Sequence, residues 1–491
     1  MWSAGHPRER AITPVVWALL ALALALRLWF IADKNLWLDE SVSWQFATGS
    51  IGDLIHGTAG DIHPPLYYLL LKVWVAICGD SLAGLRTLSV VFGVAAVYVL
   101  FRLLDGTPRL TAYAAMFWFA VAPHAVLFSQ EARMYAAVTL CVLAVCLCYR
   151  RWIDSGFTSG RALASYAAFV VVCLYLHYFT SLVVAAISLH ALLLAMGAAR
   201  RPTDSPRRLP LTTWIAVHLG IGLAYLPWVA IAASQISHGQ SWRETMTVAN
   251  IPALARDMFA GLLGGLSSYS FDAALPWVAI AVLVVGLSRL ALTAFRGPEP
   301  ERDLFFLIVA LVPIGLGLAL QPFAGRMDLA RYLPYSLPLL IAASARGLAT
   351  VRMPGVAAAA VLAVGALATV PALQTYYRTH TKDSDARPIV AALMAAAQAG
   401  GGTRDVIFVA PGYMDAVVQY ISRGALVYQR VPDDADDLLK AIEPALGPSH
   451  ATWVIVDYRW PAFKDLGNQP RLREEAVPFG HPDQIKLFRV Y

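Results

Sequence analysis

The stretch Leu36-Trp37-Leu38-Asp39-Glu40 follows closely on an apolar run from Pro14 to Ala32. A helix that crosses a bilayer needs about 20 apolar residues, and this run is long enough. We expect it to stay as an uncleaved first helix, because no small-residue cleavage site precedes Asp33. The acidic pair Asp39-Glu40 then lies at a membrane surface, where burying a carboxylate near lipid costs several kcal/mol. The pair is therefore a candidate active site, and it marks the side of the membrane where the chemistry occurs.

The composition is that of an integral membrane protein. Hydrophobic residues make up 58% of the chain and charged residues 14%, and the mean hydropathy is +0.59. Soluble domains are about 45–50% apolar and roughly 25% charged. The net charge of +6 does not indicate nucleic-acid binding, because the arginines lie in short loops between apolar runs. All 5 cysteines lie in apolar segments, which argues against a disulfide framework or a zinc site.

Apolar runs of spanning length recur along the first three quarters of the chain. They predict eleven transmembrane helices, near residues 12–32, 83–104, 110–128, 132–150, 164–180, 182–199, 211–233, 272–294, 303–321, 330–348 and 354–373. The run 65–78 is ambiguous, because it is short, follows two prolines and contains Lys72.

The distribution of basic residues resolves this ambiguity. If 65–78 does not cross, one side of the membrane collects most loop arginines: Arg8, Arg10, Arg102, Arg109, Arg150, Arg151, Arg161, Arg200, Arg201, Arg207, Arg208, Arg289, Arg296, Arg302, Arg346 and Arg352. The opposite loops hold fewer, chiefly Lys34, Lys72, Arg86, Arg133, Arg243, Arg256, Arg326 and Arg331. Counting 65–78 as a span would destroy this bias. The positive-inside rule thus predicts juxtamembrane or re-entrant helices in the first outer loop and a cytoplasmic N-terminus.

Residues 376–491 differ in character and are predicted to form a separate α/β domain on the outer side, after a transmembrane domain of residues 1–375. Buried strands are predicted at 405–410 and 452–457 and a third, alternating strand at 484–490, with helices at 386–399, 413–422 and 435–446. The alternation is typical of a small α/β fold. It contains no phosphate loop or nucleophile elbow, and Gly400-Gly401-Gly402 is interpreted as a helix stop. We expect this domain to have a structural or acceptor-recruiting role.

The acidic pair has two open interpretations. In the functional one, Asp39 or Glu40 accepts a proton from an acceptor hydroxyl or amine, or coordinates a cation. In the structural one, the pair caps a short helix that begins at Ser41, since acidic side chains stabilise a helix start. Position alone does not decide between them. Trp37 and Trp44 fit an interfacial aromatic belt.

His63-Pro64-Pro65 is a second candidate. The two prolines end the preceding segment and begin a helix, which aims the His63 imidazole from a rigid corner. An imidazole there could contact phosphate or sugar. A lone histidine is more often an ordinary interfacial residue, so both interpretations stay open.

Ser129-Gln130-Glu131-Ala132-Arg133-Met134-Tyr135 is expected to open the fourth span at its outer end. A helix N-terminus attracts phosphate through its free N–H groups and partial positive charge. Arg133 adds a fixed charge and a bidentate donor. Glu131 and Tyr135 are four residues apart and are expected to share a helix face, so Glu131 could orient a neighbour or contact the acceptor. The alternative is that Glu131 pairs with an arginine and only anchors the helix.

Three further outer segments carry polar residues. Arg331-Tyr332 is expected to begin the tenth span, where Arg331 could face an anionic headgroup, while Asp328 is interpreted as its intrahelical ion-pair partner. The long loop 234–270 is expected to be a mobile cover over a site. His177-Tyr178 is interpreted as interfacial packing.

The order of these motifs resembles the GT-C superfamily of polytopic glycosyltransferases, in particular the branch of protein O-mannosyltransferases and aminoarabinose-transferase-like enzymes (glycosyltransferase family 39 and its relatives). The matching stretches are Trp37-Leu38-Asp39-Glu40, His63-Pro64-Pro65-Leu66-Tyr67-Tyr68, Ser129-Gln130-Glu131-Ala132-Arg133-Met134-Tyr135 and, less specifically, Ala330-Arg331-Tyr332. They cover the first 150 residues closely, and the later spans agree in layout only.

The resemblance implies a GT-C fold and a donor sugar carried on polyprenyl monophosphate, with the lipid between helices and the phosphate at the outer surface. It implies that Asp39 is the catalytic base or an acceptor ligand and that Glu40 is its motif neighbour. His63 matches a donor-phosphate contact that is lysine in some relatives. Glu131 and Arg133 match the second acidic and basic contribution to the cavity. Members of this branch often need no metal.

We therefore expect an inverting glycosyltransferase (EC 2.4 type) in a bacterial inner (plasma) membrane, acting on the periplasmic or extracellular side without a cofactor. Its expected partners are a polyprenyl-phosphate-linked sugar, membrane lipid and a glycan, glycolipid or protein acceptor, and no nucleic acid. The expected catalytic residues are Asp39 and Glu40. The expected donor-phosphate and substrate-binding residues are His63, Glu131, Arg133, Tyr135, Arg331 and Tyr332.

Three alternatives remain at this stage. A transporter or flippase of lipid-linked sugars would place carboxylates or broken helices near the membrane midplane, and the chain has no apparent internal repeat. A non-enzymatic membrane scaffold would bind a partner through the carboxy-terminal domain. A metal-assisted enzyme would use Asp39 and His63 as ligands, although hard cations usually need several carboxylates.

Overall fold

The computed structural model describes residues 12–197, 209–237, 244–265, 274–349, 355–379, 385–399, 406–410, 412–431, 435–445, 451–457, 463, 466–474 and 485–490. Internal contacts divide the chain into two compact units. The first, here called the helical unit, comprises Met1–Ile31, Ile51–Gly79 and Gly84–Thr379. The second, the α/β unit, comprises Ala32–Ser50, Asp80–Ala83 and His380–Tyr491.

The helices and strands follow one another in this order: α1 Pro14–Leu28, α2 Leu38–Thr48, α3 Ile51–Gly60, α4 Leu66–Cys78, α5 Leu82–Leu103, α6 Arg109–Val121, α7 Pro123–Ser129, α8 Tyr135–Asp154, α9 Gly160–Leu176, α10 Ser181–Ala195, α11 Leu211–Ser237, α12 Ile251–Gly264, α13 Ala274–Arg296, α14 Pro300–Ala324, α15 Leu329–Tyr332, α16 Ser336–Ala349, α17 Gly355–Thr379, α18 Arg387–Ala399, β1 Val406–Ala410, α19 Asp415–Ser422, β2 Gln429–Arg430, α20 Ala435–Ile442, β3 Thr452–Asp457, β4 Leu472–Glu474 and β5 Ile485–Val490.

The apolar runs form helices where the hydropathy predicts them. Among the described residues, 7 helices are long and apolar enough to cross a membrane, and α6 with α7 makes an eighth candidate bent by 56°. Three of the remaining predicted spans coincide with the shorter apolar helices α1, α9 and α16. The chain is thus a multi-pass membrane protein, as predicted, while the number of eleven spans stays a prediction. Helix α4 has 13 residues, fewer than the roughly 20 that a span needs.

Helices α13 and α16 cross at very small side chains. A Cβ atom built on Gly286 would lie 2.5 Å from the Cα and Cβ of Ser344, and one on Gly347 would meet the carbonyl oxygen of Gly286 and lie 2.9 Å from the nitrogen of Leu290. Small residues allow such close backbone approach between membrane helices. This crossing belongs to the packed centre of the helical unit.

We expect Gly347→Ala to destabilise the protein, because its methyl group would collide with the α13 backbone. Overpacking of this kind costs about 1–3 kcal/mol. The thermal unfolding midpoint in detergent is the measurement. Gly315→Ala in α14 is the matched control, since a Cβ there meets nothing within 4 Å and alanine favours the helix. Equal midpoints for the two variants would contradict the tight crossing.

Two helix starts differ from those predicted. Helix α8 begins at Tyr135, so Glu131 and Tyr135 do not share a helix face, and that expectation is wrong. The cause is a capped corner: the side-chain nitrogen of Gln130 donates to the carbonyls of Arg27 at 2.9 Å and Trp29 at 2.7 Å, which holds residues 130–134 outside the helix.

The tenth span also begins later than predicted. Arg331 and Tyr332 lie in the short helix α15, and α16 begins only at Ser336, after Pro334. Proline disfavours a continuous helix at this point. Asp328 caps α15, because its carboxylate accepts a hydrogen bond from the backbone N–H of Arg331 at 3.3 Å.

The segment predicted as the loop 234–270 contains regular structure. Helix α11 continues to Ser237, and Ile251–Gly264 forms α12, which packs against α7, α15, α14 and α17. The prediction of a loop is therefore wrong for 251–264, where Leu254, Met258 and Leu262 bury an apolar face of a helix. Residues 238–243 and 266–273 of the same segment lie outside the described residues.

The α/β unit contains the predicted mixed architecture. Its five-stranded sheet has the order β2-β1-β3-β5-β4, in which β1 is parallel to β2 and β3, and β5 is antiparallel to β3 and β4. The three predicted strands correspond to β1, β3 and β5, and the short strands β2 and β4 were not predicted. The glycine run 400–402 lies outside the described residues.

Successive side chains of each strand point to opposite faces of the sheet, and apolar side chains cover both faces. Ile407 and Val409 of β1 pack with α18 and α19, whereas Phe408 and Ala410 pack with α20. Leu38 of α2 packs against the first of these two cores. The segment that carries the acidic pair is thus part of the α/β unit, although it directly follows the first apolar helix in sequence.

Candidate functional site

A cavity of about 780 Å³ lies within the helical unit. Its lining includes polar side chains, namely His63, His177, Tyr178, Gln235 and Tyr332. It also includes apolar side chains, among them Phe179, Leu182, Ile236, Leu320 and Phe323. The cavity therefore offers both polar and apolar contacts to a ligand.

His63 is held by the corner that the sequence predicts. Pro65 is the N-cap residue of α4, which begins at Leu66, and His63 is 6% exposed. Its Nδ1 lies 3.3 Å from Oδ2 of Asp61. Burial raises the pKa of Asp61, but the hydrogen bond with His63 and the charges of His63 and Arg133 outweigh it and hold this pKa below its usual value. The histidine is thus oriented by a neighbouring carboxylate.

Arg133 lies in the corner between α7 and α8 and is 3% exposed. Its Nη1 donates to the hydroxyl of Tyr68 at 3.0 Å, and its backbone carbonyl accepts a hydrogen bond from Ser89 at 3.3 Å. The charge of Arg133 also acts on Asp61. Arg133 and His63 are therefore parts of one buried polar cluster. Glu131, from the same corner, is 1% exposed.

His177 connects His63 to Tyr332. The His177 ring lies 5.8 Å from that of His63 and 5.7 Å from that of Tyr332, measured between centroids. Phe179 stacks on Tyr332 at 5.2 Å. The structure thus brings together three of the predicted site residues, His63, Arg133 and Tyr332.

Arg331 and Tyr135 form a second contact among the predicted residues. The guanidinium carbon of Arg331 lies 5.7 Å from the centroid of the Tyr135 ring, a cation–π arrangement. This contact joins the start of α8 to α15.

Sequence reasoning missed Asp61 and His177. Asp61 lies two residues before His63, which is a usable signal for a carboxylate that orients an imidazole. His177 was interpreted as packing, yet it lines the cavity and its Nδ1 accepts a hydrogen bond from the N–H of Phe179 at 3.3 Å.

Asp39 and Glu40 lie in the first turn of α2, within the α/β unit. The helix begins at Leu38, so the expectation of a cap before Ser41 is wrong, although acidic residues in a first turn do stabilise a helix. Glu40 is fully buried and Asp39 is partly buried. Within the described part of the chain, no three His, Cys, Asp or Glu side chains form a group that could hold a metal ion.

Comparison with known proteins gives matches in structure only. No protein-family model matches the sequence, and no curated protein matches it significantly. ArnT from Cupriavidus metallidurans, bound to undecaprenyl phosphate, is similar with a TM-score of 0.60 at 13% identity, over 98% of this chain and 98% of that chain.

Oligosaccharyltransferases from Archaeoglobus fulgidus are similar as well. AglB, in complex with an inhibitory peptide and a dolichol-phosphate, has a TM-score of 0.56 at 11% identity, over 92% of this chain and 70% of that chain. The apo form of the enzyme has a TM-score of 0.53 at 12% identity, over 90% and 70%. The chain therefore has the fold of these ArnT and AglB structures, the multi-pass membrane fold that the resemblance predicts.

Proposed function

We propose that this protein is a membrane glycosyltransferase that moves one sugar from a polyprenyl-phosphate carrier to an acceptor. The observation that carries the proposal is the agreement in fold, over 98% of both chains, with the structure of ArnT bound to undecaprenyl phosphate. The cavity in the helical unit supports it, because a lining of both polar and apolar side chains suits a lipid with an anionic head.

The donor phosphate would be held by the buried cluster. Arg133 supplies a fixed positive charge with a forked donor, and His63 supplies an imidazole oriented by Asp61. Tyr332 offers a hydroxyl on the cavity wall. We assign supporting roles in substrate binding to Glu131, Tyr135 and Arg331.

Asp39 acts as the base in the proposed reaction. Its carboxylate takes the proton from the acceptor hydroxyl or amine, the acceptor atom bonds to the anomeric carbon, and the bond from that carbon to the phosphate oxygen breaks. Polyprenyl phosphate leaves as an anion, so no second acid is required. The added negative charge on the leaving phosphate is stabilised by Arg133. Glu40 is the sequence neighbour of the base. Because the transfer is a single displacement, it inverts the configuration of the anomeric carbon. The proposal includes no cofactor.

We also propose that the reaction takes place on the outer side of a bacterial inner membrane. The support is the concentration of loop arginines on the other side, which the positive-inside rule assigns to the cytoplasm. The α/β unit and the acidic pair then lie in the periplasm or outside the cell.

The test of the donor class uses the purified protein in lipid nanodiscs. Undecaprenyl phosphate is expected to raise the unfolding midpoint, since a ligand at a hundredfold excess over Kd stabilises by about 2.7 kcal/mol. Undecaprenol, which has the same tail without phosphate, is the control and is expected to have a smaller effect. His63→Ala should reduce the difference between the two lipids.

Transfer completes the test. Polyprenyl-phosphate sugars are offered with a membrane extract of the source cell as acceptor, and labelled sugar in the product is measured. The proposal fails if undecaprenol stabilises the protein as much as undecaprenyl phosphate and no sugar is transferred.

A further inference from the structure

Helix α2 is built into the α/β unit by apolar and polar contacts. Leu38, directly before the acidic pair, packs against the core formed by α18, α19 and one face of the sheet. Along its length α2 packs against α19, and Nε2 of Gln45 donates a hydrogen bond to Oε1 of Gln419 at 3.5 Å. An 11-residue helix is marginal alone, so these contacts stabilise it.

A cluster around Asp80 strengthens this attachment. We call it the Asp80 cluster and define it as Trp44, Asp80, Tyr420 and Arg423. The indole N–H of Trp44 donates to Oδ2 of Asp80 at 2.9 Å, and Nη1 of Arg423 lies 2.5 Å from the same oxygen. The guanidinium carbon of Arg423 lies 4.3 Å from the centroid of the Tyr420 ring. The rings of Tyr420 and Trp44 pack edge to face, with their centroids 5.3 Å apart. One carboxylate thus joins α2 to the end of α19.

The charge state of this carboxylate suits the role. The hydrogen bond from Trp44 lowers the pKa of Asp80, burial opposes this, and the bond and charge of Arg423 lower it further. Asp80 is thus ionised at neutral pH, and its bonds to Trp44 and Arg423 are charge-assisted.

The backbone of Arg423 indicates that its side chain has a specific purpose. Arg423 follows the last residue of α19 with φ 51°, in the left-handed region. Glycine is the usual residue at that position, because a side chain is strained there. The residue at this point is nevertheless an arginine, and its guanidinium contacts both Asp80 and Tyr420.

We propose that the carboxy-terminal α/β unit positions the catalytic acidic pair: α19, through the Asp80 cluster, fixes α2 and therefore the location of Asp39 and Glu40. Arg423 and Tyr420 are positioning residues for sugar transfer, because they act on Asp39 through α2. The inference rests on the proposed function of Asp39. The inference gives the α/β unit a role in the rate of sugar transfer, beyond a purely structural one.

Arg423→Gly tests this with little risk to folding. Glycine removes the guanidinium and at the same time relieves the left-handed strain, so the unfolding midpoint should change little. We expect kcat to fall about tenfold, while the KM for the donor lipid stays the same, since misplacing a catalytic group acts on the reacting geometry. Arg423→Lys retains a charge and should recover part of the loss.

Lys440→Ala is the matched control. It removes a charge on α20 of the same unit, where Lys440 is exposed and pairs with Asp437 of its own helix at 3.4 Å. Its kcat should equal that of the wild type. If Arg423→Gly also keeps the wild-type kcat, the positioning role is wrong. If the wild type transfers no sugar at all, it is the proposed function that fails.

A second measurement does not depend on activity. Gln45→Cys with Gln419→Cys, in a background where the exposed Cys78 is replaced by serine, should be joined by a bifunctional thiol cross-linker about as long as the two glutamine side chains that it replaces. Adding Arg423→Gly should slow the cross-linking severalfold. A pair that is not cross-linked, or that is cross-linked equally fast with glycine at 423, would overturn the proposed attachment of α2.

Discussion

Asp39→Asn is expected to lower the rate of sugar transfer by about 10²–10⁴-fold, the contribution of a positioned general base. Asparagine has nearly the same shape but cannot accept the acceptor's proton. Asp39 is only partly buried, so the substitution should leave the fold and membrane insertion intact. Donor binding should also persist, because the phosphate is assigned to other side chains. The measurement is single-turnover transfer together with binding of undecaprenyl phosphate.

Asp33→Asn is the control for this experiment. Asp33 is exposed and lies six positions before Asp39 in the same segment. The Asp33→Asn variant loses the same charge as Asp39→Asn, and its rate of sugar transfer should equal that of the wild type. Glu40→Gln is a different case, because Glu40 is fully buried and its replacement should affect stability as well as rate. Full activity of Asp39→Asn would remove Asp39 as the base and leave the fold assignment untouched.

Arg133→Ala should have the second largest effect, a loss of about 10²–10³-fold in kcat, comparable with removing one donor that stabilises a developing anion. The loss should appear in donor binding as well, since the phosphate is charged in the bound donor and becomes more negative on leaving. Arg133→Lys should recover only a part, because lysine keeps the charge but not the forked geometry or the bond to Tyr68.

Arg151→Ala is a suitable comparison for Arg133→Ala. Arg151 is an exposed arginine near the last turn of α8, whereas Arg133 precedes its first turn. Its replacement should leave both kcat and donor affinity unchanged. Equal losses in the two variants would mean that the effect reflects helix anchoring and not phosphate stabilisation.

Hydropathy predicts most of the helical unit because a membrane span has a minimum apolar length, and each of the predicted spans coincides with a helix or a bent pair. The same reasoning fails where short polar contacts decide the backbone. The side chain of Gln130 holds the corner before Tyr135 by donating to the backbone carbonyls of Arg27, in α1, and Trp29, just after α1. These carbonyls are about 100 residues away in sequence, so no local pattern reveals the contact. Helix α12 was missed because its apolar face is short and lies in a segment rich in polar residues.

The candidate site was predictable in part for a similar reason. His63 and Arg133 stand in recognisable local motifs, and the structure places them in one cluster through Asp61. The role of His177 depends on how the turn before α10 packs against that before α4, which no local pattern encodes. Helix α2 belongs to the α/β unit partly because Trp44 and Arg423 both bind Asp80. Asp80 and Arg423 are 343 residues apart in sequence, so local sequence patterns do not predict this contact.

The Asp80 cluster can form only late in the synthesis of the chain on the ribosome. Asp80 and Arg423 are 343 residues apart, so at 5–20 residues per second roughly 20–70 s pass between the two. Throughout that interval the nascent chain contains the acidic pair but not the helix that receives it. If Asp39 is the base, as proposed, a polypeptide released before α19 is made lacks the helix that holds this base in place, and we expect such a product to be inactive.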